Sequence, residues 1–385
     1  MWGRRFGSSQ PPSRRHSQFQ LLILDRFFRL NIMPRFVWLD CDPGHDDATA
    51  ILLAVHSPGI QLLGISTVHG NADAENTNNN AARCLHAFNA PKDIRVCPGA
   101  TKPLLRPARH DPEIHGIDGL GGVIGLPSVQ SAEVRERLDA HGAPIRALEG
   151  MAEAIRTTWK QGVGNKVTVV SSGPMTNIAL FVSVYPDLLD GIDEFVFMGG
   201  GVGLGNRSPS AEFNILCDPE AAQIVLDIPV KKTMIPLNVT HTAIVRDDIM
   251  RRLLSSSTAA SSTVLPAADS KLRHMLFTLI GFFADSYKST FGFIDGPPLH
   301  DALTIAYVAQ PELFTCKRYR VDVELNGVHT AGETVVDVCS YRQCDDSWGR
   351  SGKNCIVAEA LNVQGFFNLF LDCVARCDVV SPLNR

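Results

Sequence analysis

From residue 34 onward, short apolar runs alternate with longer stretches of helical spacing. "RFVWL" (35–39) is apolar on both faces, as a strand buried inside a parallel sheet should be. Pro43-Gly44 turns the chain, and "DDATAILLAVH" follows with the period of a helix, stopping at Ser57-Pro58-Gly59. "IQLLGISTV" (60–68) predicts a second strand and "AENTNNNAARCLHAFNA" a second helix closed by Pro91. The same pairing recurs: strand "KVTVVSS" (166–172) with helix "MTNIALFVSVYP", and strand "EFVFMGGG" (194–201) with helix "PEAAQIVLD". Strand "KKTMIPLN" comes next. Such β-α alternation predicts an α/β fold: a single large domain with a mostly parallel sheet flanked by helices on both faces.

Three stretches break the rhythm. Residues 102–150 are rich in Pro, Gly and His and read as a long excursion. "SSSTAASST" (255–263) reads as a low-complexity linker. "RYRVDVELNGVHTAGETVVDV", from about residue 317, predicts a C-terminal antiparallel hairpin turning at Asn326-Gly327 and attached to the main sheet. Nothing separates two independent cores, so residues 34–385 are assigned to one domain. Residues 1–33 carry six Arg and a single acid, Asp25. They are expected to be a disordered leader, a start upstream of the true one at Met33, or a mitochondrial transit segment.

Composition narrows the function. Of the 385 residues, 45% are hydrophobic, enough for a sizeable core. A net charge of -4 gives no bulk attraction to nucleic acid or acidic membranes, and no apolar run approaches the roughly 20 residues of a membrane span. The ten cysteines lack paired CxxC knuckles, so they predict reduced, mostly core-filling thiols in a cytoplasmic protein rather than a zinc site.

The chemistry concentrates in "LDCDPGHDDA" (39–48), where Asp40, Asp42, Asp46 and Asp47 crowd together with no Lys or Arg. Each carboxylate raises the cost of ionising the others. The stretch lies where the first strand ends and the first helix begins, the place where open parallel sheets bind ligands. A helix dipole offsets only about 0.3–1 kcal/mol per charge, too little for four acids. A bound divalent cation is the more economical account, and an all-oxygen ligand set favours Ca²⁺ or Mg²⁺ over zinc. Plain helix capping explains one Asp but not the extra acids. An EF-hand fails because its fifth and twelfth positions would be Gly44 and Ile51. An Asp-nucleophile, magnesium-dependent phosphatase fits Asp40-Cys41-Asp42 locally, but no phosphate-gripping Lys follows at a strand end.

Other strand ends add matching parts: Asn71, Ser171-Ser172-Gly173, "MGGGVGLGN" (198–206) and "AEFNILCDPEAA" (211–222). The glycine-rich run is not GxGxxG, so a dinucleotide site is unsupported. Asn side chains and acids at strand ends suit a polyhydroxylated ligand such as a sugar. "PPLHDALTIAYV" places His300 and Asp301 at a helix start, which alone is equally a plain N-cap.

"DCDPGHDDA", "MGGG", "AEFN" and "LHDALTIAYV", in that order, resemble the inosine–uridine-preferring nucleoside hydrolase family, with similarity running from about residue 35 to near residue 337. The resemblance implies an N-glycosyl hydrolase that splits ribonucleosides into base and ribose, with a calcium-bound water activated by Asp42 as general base. It implies Asp42, Asp47, Asp301 and the Ser172 carbonyl as Ca²⁺ ligands, with Asp40 supporting them from behind. Asp46, Asn71, Asn206, Glu212 and Asn214 would hold the ribose, with Met198 beneath it. "FGFIDGPPLHDA" resembles the pyrimidine-preferring branch: Phe291 and Tyr287 would line the base pocket, His300 would help the base depart, and His115 would close over substrate on a mobile loop. Ala302 stands where many relatives have Pro, and Ser172 where Thr is commoner. A homodimer or homotetramer acting on a free nucleoside is expected. A ribose- or calcium-binding protein without turnover is the remaining alternative; it would need part of the Asp42–Asp47–Asp301 set to be missing, and none is.

Overall fold

Strand β1 (Arg35–Cys41) is apolar on both faces because each face has its own core. Val37 and Leu39 enter one, packed against the helices His45–His56, Ala74–Ala87, Lys271–Phe291, Ala302–Ala309 and Val363–Val380. Trp38 enters the other, packed against Ala147–Trp159, Thr176–Val184 and Pro219–Asp227. The alternation continues in the strand Ile192–Met198, where Val196 faces the first core and Phe195 and Phe197 the second. This two-sided burial follows from the period-2 geometry of a strand inside a helix-covered sheet.

These features belong to a computed structural model, which describes residues 34–139, 144–257 and 265–385. The leader and most of the low-complexity linker lie outside the described residues. The remaining strands are β2 (Ile60–Thr67), β3 (Val96–Pro98), β4 (Val167–Ser171), β5 (Ile192–Met198), β6 (Lys232–Ile235), β7 (Phe314–Tyr319), β8 (Val321–Val323), β9 (Thr334–Val336) and β10 (Cys355–Leu361). The main sheet has eight strands in the order β3-β2-β1-β4-β5-β6-β10-β7. All its pairings are parallel except β10 with β7. The chain winds outward from β1 through β2 to β3, then returns to lay β4 on the opposite flank. In register, Leu39 sits between Ile65 and Val170, and Asp40 between Ser66 and Ser171. The carboxyl ends of β1 and β4 therefore form the topological switch point, where an open α/β sheet leaves a crevice.

The C-terminal hairpin departs from expectation in its placement. β8 and β9 pair antiparallel as a separate two-stranded sheet. The chain breaks away from β7 at Arg320, a buried residue whose guanidinium binds the Asp322 carboxylate and the carbonyls of Gly349 and Arg350. Asn326-Gly327 lies within a longer loop, where both amides donate to the Glu324 side chain. The 102–150 excursion carries short helices at Pro112–His115 and Ala132–Asp139 and ends inside the helix Ala147–Trp159. All ten cysteines are free, and most are buried. No described helix is long and apolar enough to cross a membrane.

Candidate active site

The switch point is filled with acids. Asp40, Asp42, Asp46, Asp47 and Asp301 are all buried. Helix α1 (His45–His56) begins immediately after the Pro43-Gly44 turn, and Asp46 and Asp47 occupy its first turn. Asp301 starts helix α2 (Ala302–Ala309), which packs against α1. Packing thus joins two motifs some 250 residues apart in sequence.

Asp47 is the best-satisfied member. One carboxylate oxygen accepts the Ser172 hydroxyl at 2.7 Å and the Asp42 amide at 3.3 Å. The other accepts the Gly44 amide and the Asn71 side-chain amide, each at 3.0 Å. Asp42 accepts the Asn71 amide at 2.8 Å on Oδ2, while its Oδ1 is buried with no partner. Glycines make room for it: a Cβ on Gly70 would come within 2.0 Å of Oδ2, and one on Gly173 within 2.4 Å of Oδ1. Burial, then the neighbouring Asp47, pushes the Asp42 carboxyl well above the usual range. Burial and the Asp46 and Asp47 charges do the same to Asp301, and Asp46 is pushed up to about 8. Asp46 and Asp301 face each other within the cluster, so each carboxylate raises the cost of ionising the other.

Such a set stays ionised at neutral pH only beside a cation. Carboxylate oxygens of Asp46, Asp47 and Asp301 lie within 4.8 Å of one another and could hold a metal ion. Together with the unpartnered Asp42 oxygen, this all-oxygen donor set fits a hard divalent cation. The expected ligand trio named Asp42 rather than Asp46; the three acids whose oxygens come together here are Asp46, Asp47 and Asp301, with Asp42 beside them. The Ser172 carbonyl, the expected main-chain ligand, accepts the Asn214 amide at 2.8 Å and keeps a second lone pair.

Asp40 lies behind the cluster. Its Oδ1 accepts the Ser66 hydroxyl and the Asn177 amide, the latter at 2.8 Å, and burial raises it to about 7. Its Oδ2 is buried without a partner, but no described Lys lines the pocket in front to grip a phosphate, which counts against the phosphatase reading.

In front of the acids opens a pocket. Its walls bring together the expected Asp46, Asn71, His115, Ser172, Met198, Asn206, Glu212, Asn214, Phe291, His300 and Asp301. Glu212 caps the helix Phe213–Cys217, accepting the amides of Asn214, Ile215 and Gly200, and burial raises it to about 7. The Asn214 amide also reaches the Met198 carbonyl at 3.2 Å, and Asn206 accepts the Phe213 amide at 2.9 Å. His300 is held at both nitrogens: Nδ1 is 2.7 Å from the Thr240 hydroxyl and Nε2 is 2.7 Å from the Tyr287 hydroxyl. Thr240 itself donates to the Leu237 carbonyl at 3.4 Å. This leaves Nδ1–H to donate to Thr240 and Nε2 to accept from Tyr287, a neutral imidazole consistent with its pKa, which burial lowers well below the ordinary value. His115, at the end of the short helix Pro112–His115, is buried against His45, with Nδ1 atoms 3.3 Å apart.

Residues 37–368 match the family model described as inosine-uridine preferring nucleoside hydrolase. The chain belongs to this family. It is therefore an N-glycosyl hydrolase of ribonucleosides. A relative from Dictyostelium discoideum, named a probable ribonucleoside hydrolase, is 37% identical over 89% of this chain and 94% of its own length. A protein from Shigella boydii, named pyrimidine-specific ribonucleoside hydrolase RihA, is 38% identical over 87% of this chain and 97% of its own. Among solved structures, a purine-preferring ribonucleoside hydrolase from Gardnerella vaginalis superposes with a TM-score of 0.74 at 26% identity, covering 90% of this nucleoside hydrolase and 100% of that chain.

Four pocket or near-pocket residues escaped the sequence reading: His45, Asp111, Arg207 and Thr240. His45 stands inside the aspartate motif, where four acids draw the eye. Arg207 directly follows Asn206, and as the lone charge between the glycine-rich run and Glu212 it was the one signal available. Asp111 and Thr240 reach the site only through tertiary packing.

Proposed function

We propose that this nucleoside hydrolase prefers pyrimidine ribonucleosides, uridine foremost, and works with Ca²⁺. The observation that carries the mechanism is the buried, unpartnered Oδ1 of Asp42, set among further aspartates behind a pocket that Asp46, Ser172 and Asp301 help to line. Asp42, Asp47, Asp301 and the Ser172 carbonyl would hold the ion, which would neutralise the acids and lower the pKa of water at the site. The Asp42 carboxylate, which would face the ion through Oδ1, is then also the acceptor for a proton from the attacking water, a general-base step that typically contributes about 10²–10⁴-fold. As the base leaves, ribose becomes oxocarbenium-like, and its positive charge faces Asp46, Glu212 and the amide oxygens of Asn71, Asn206 and Asn214. Preorganised dipoles and charges of this kind commonly supply the largest share of rate enhancement. Met198 packs beneath the sugar.

The base is assigned to the wall formed by Ile114, Tyr287 and Phe291, with the Tyr287–His300 pair as its polar end and source of a proton for the departing base. His115 extends the same wall through Phe283, which stacks on it and packs against Tyr287. Relatives at 38–39% identity carry a pyrimidine-specific name, against 26% for the purine-preferring structure, and this supports the pyrimidine side. The test is a panel of uridine, cytidine, inosine and guanosine with released ribose measured. Faster turnover of uridine than inosine is expected; the reverse order makes the enzyme purine-preferring.

A further inference from the structure

The wall of the nucleoside pocket on the Asn206 side is an ion pair. Arg207 donates from Nε to Asp111 at 2.9 Å and from Nη2 to its other oxygen, a bidentate fork. Its Nη1 is 3.7 Å from Glu113, and its guanidinium carbon sits 5.2 Å from the centre of the Phe291 ring. The two paired side chains are only 20% and 11% exposed. Asp111 is itself anchored, its amide donating to the Asn71 carbonyl at 3.1 Å. Behind the pair lies a second cavity, lined by Arg109, His110, Pro112, Glu113 and Leu216, which shares Asp111, Arg207 and Phe213 with the first. The pair is thus a partition between two contiguous spaces.

This inference rests on the sugar assignment above. If the acid cluster takes the anomeric carbon and the cis-diol, the one remaining substituent of ribose is its 5′ carbon. That carbon then points away from the acids, toward Asn206, Glu212 and Arg207. A 5′-phosphate there would need both space and a cation. Space lies behind the partition and the cation is Arg207, but Asp111 neutralises it and presents a carboxylate to any arriving anion. We propose that Asp111 is a specificity-determining residue: by holding Arg207 in a closed pair it confines the enzyme to free nucleosides and rejects 5′-nucleotides.

The experiment compares kcat/KM for uridine and 5′-UMP, in calcium, for the wild-type enzyme and the variants Asp111→Asn, Asp111→Ser and Arg207→Ala. The 5′-UMP to uridine ratio is expected to rise about tenfold or more in either Asp111 variant, since removing one like charge and freeing one arginine readily amounts to one decade. It should not rise in Arg207→Ala, which leaves the Asp111 carboxylate unpaired and facing the phosphate, with Glu113 beside it against Arg109. An unchanged ratio in both Asp111 variants, or an equal rise in Arg207→Ala, overturns the proposal. If the wild-type enzyme turns over no nucleoside, the functional reading falls separately. Direct calorimetry of 5′-UMP binding then decides the partition: about tenfold tighter binding by Asp111→Asn supports it, and equal binding refutes it.

Discussion

A buried carboxylate oxygen with no partner is costly, and Asp42 Oδ1 is one. Two glycines keep the space around it, so the cheapest way to disturb it is to fill that space. Gly173→Ala places a methyl group 2.4 Å from Oδ1 and must turn the carboxylate aside. We expect this variant to fold and to bind Ca²⁺ at least about tenfold more weakly by calorimetry, since one displaced ligand readily costs 1.4 kcal/mol. Asp42→Asn keeps the shape but removes the proton acceptor, and ribose release should fall by about 10² or more. His300→Ala should slow turnover to an extent that differs between uridine and inosine; an identical loss on both removes His300 from the leaving-group side. At this scale the sequence was informative wherever chemistry sits in a local motif, as with Asp42, Asp47 and Glu212. It was silent on Asp111 and Thr240, whose partners Arg207 and His300 lie far along the chain.

Elements place these side chains through a few tethers. The glycine-rich loop after β5 is tied to β9 by Thr334, whose hydroxyl accepts the Gly201 amide at 2.9 Å and donates to the Gly201 carbonyl at 2.7 Å. The small hairpin thereby supports the sugar side of the pocket. Thr334→Val deletes both bonds inside a buried contact, and a loss of about 1–3 kcal/mol in unfolding free energy is expected, with KM for uridine raised more than kcat is lowered. Unchanged KM and stability would show that the loop needs no such tether. β1, β2, β4, β5 and β6 were legible because strands buried on both faces read as apolar runs closed by turns. The hairpin's detachment was not, because it depends on Arg320 finding the carbonyls of Gly349 and Arg350, contacts that no periodicity encodes.

For the whole molecule, the acid cluster is both the site and a stability liability. Without a cation, Asp40, Glu212 and Asp46 have folded-state values of about 7, 7 and 8, all above their unfolded values. The native state then binds more protons than the unfolded one, so stability falls as pH rises through this range. Between pH 6.5 and 8 the chelated protein should lose about 1–2 kcal/mol from Asp46 alone, read as a falling Tm, and saturating Ca²⁺ should flatten that slope. The packing of α2 against α1 brings Asp301 to Asp46 and Asp47, beside Asp42, and this is the fact on which everything else depends. It is tested most directly by stripping the enzyme with a chelator, adding back Ca²⁺, and following ribose release from uridine. Turnover should vanish on stripping and return with calcium in the wild-type enzyme but not in Asp42→Ala or Asp301→Ala. Full turnover by the stripped enzyme, or by either variant, would contradict a cation-centred active site.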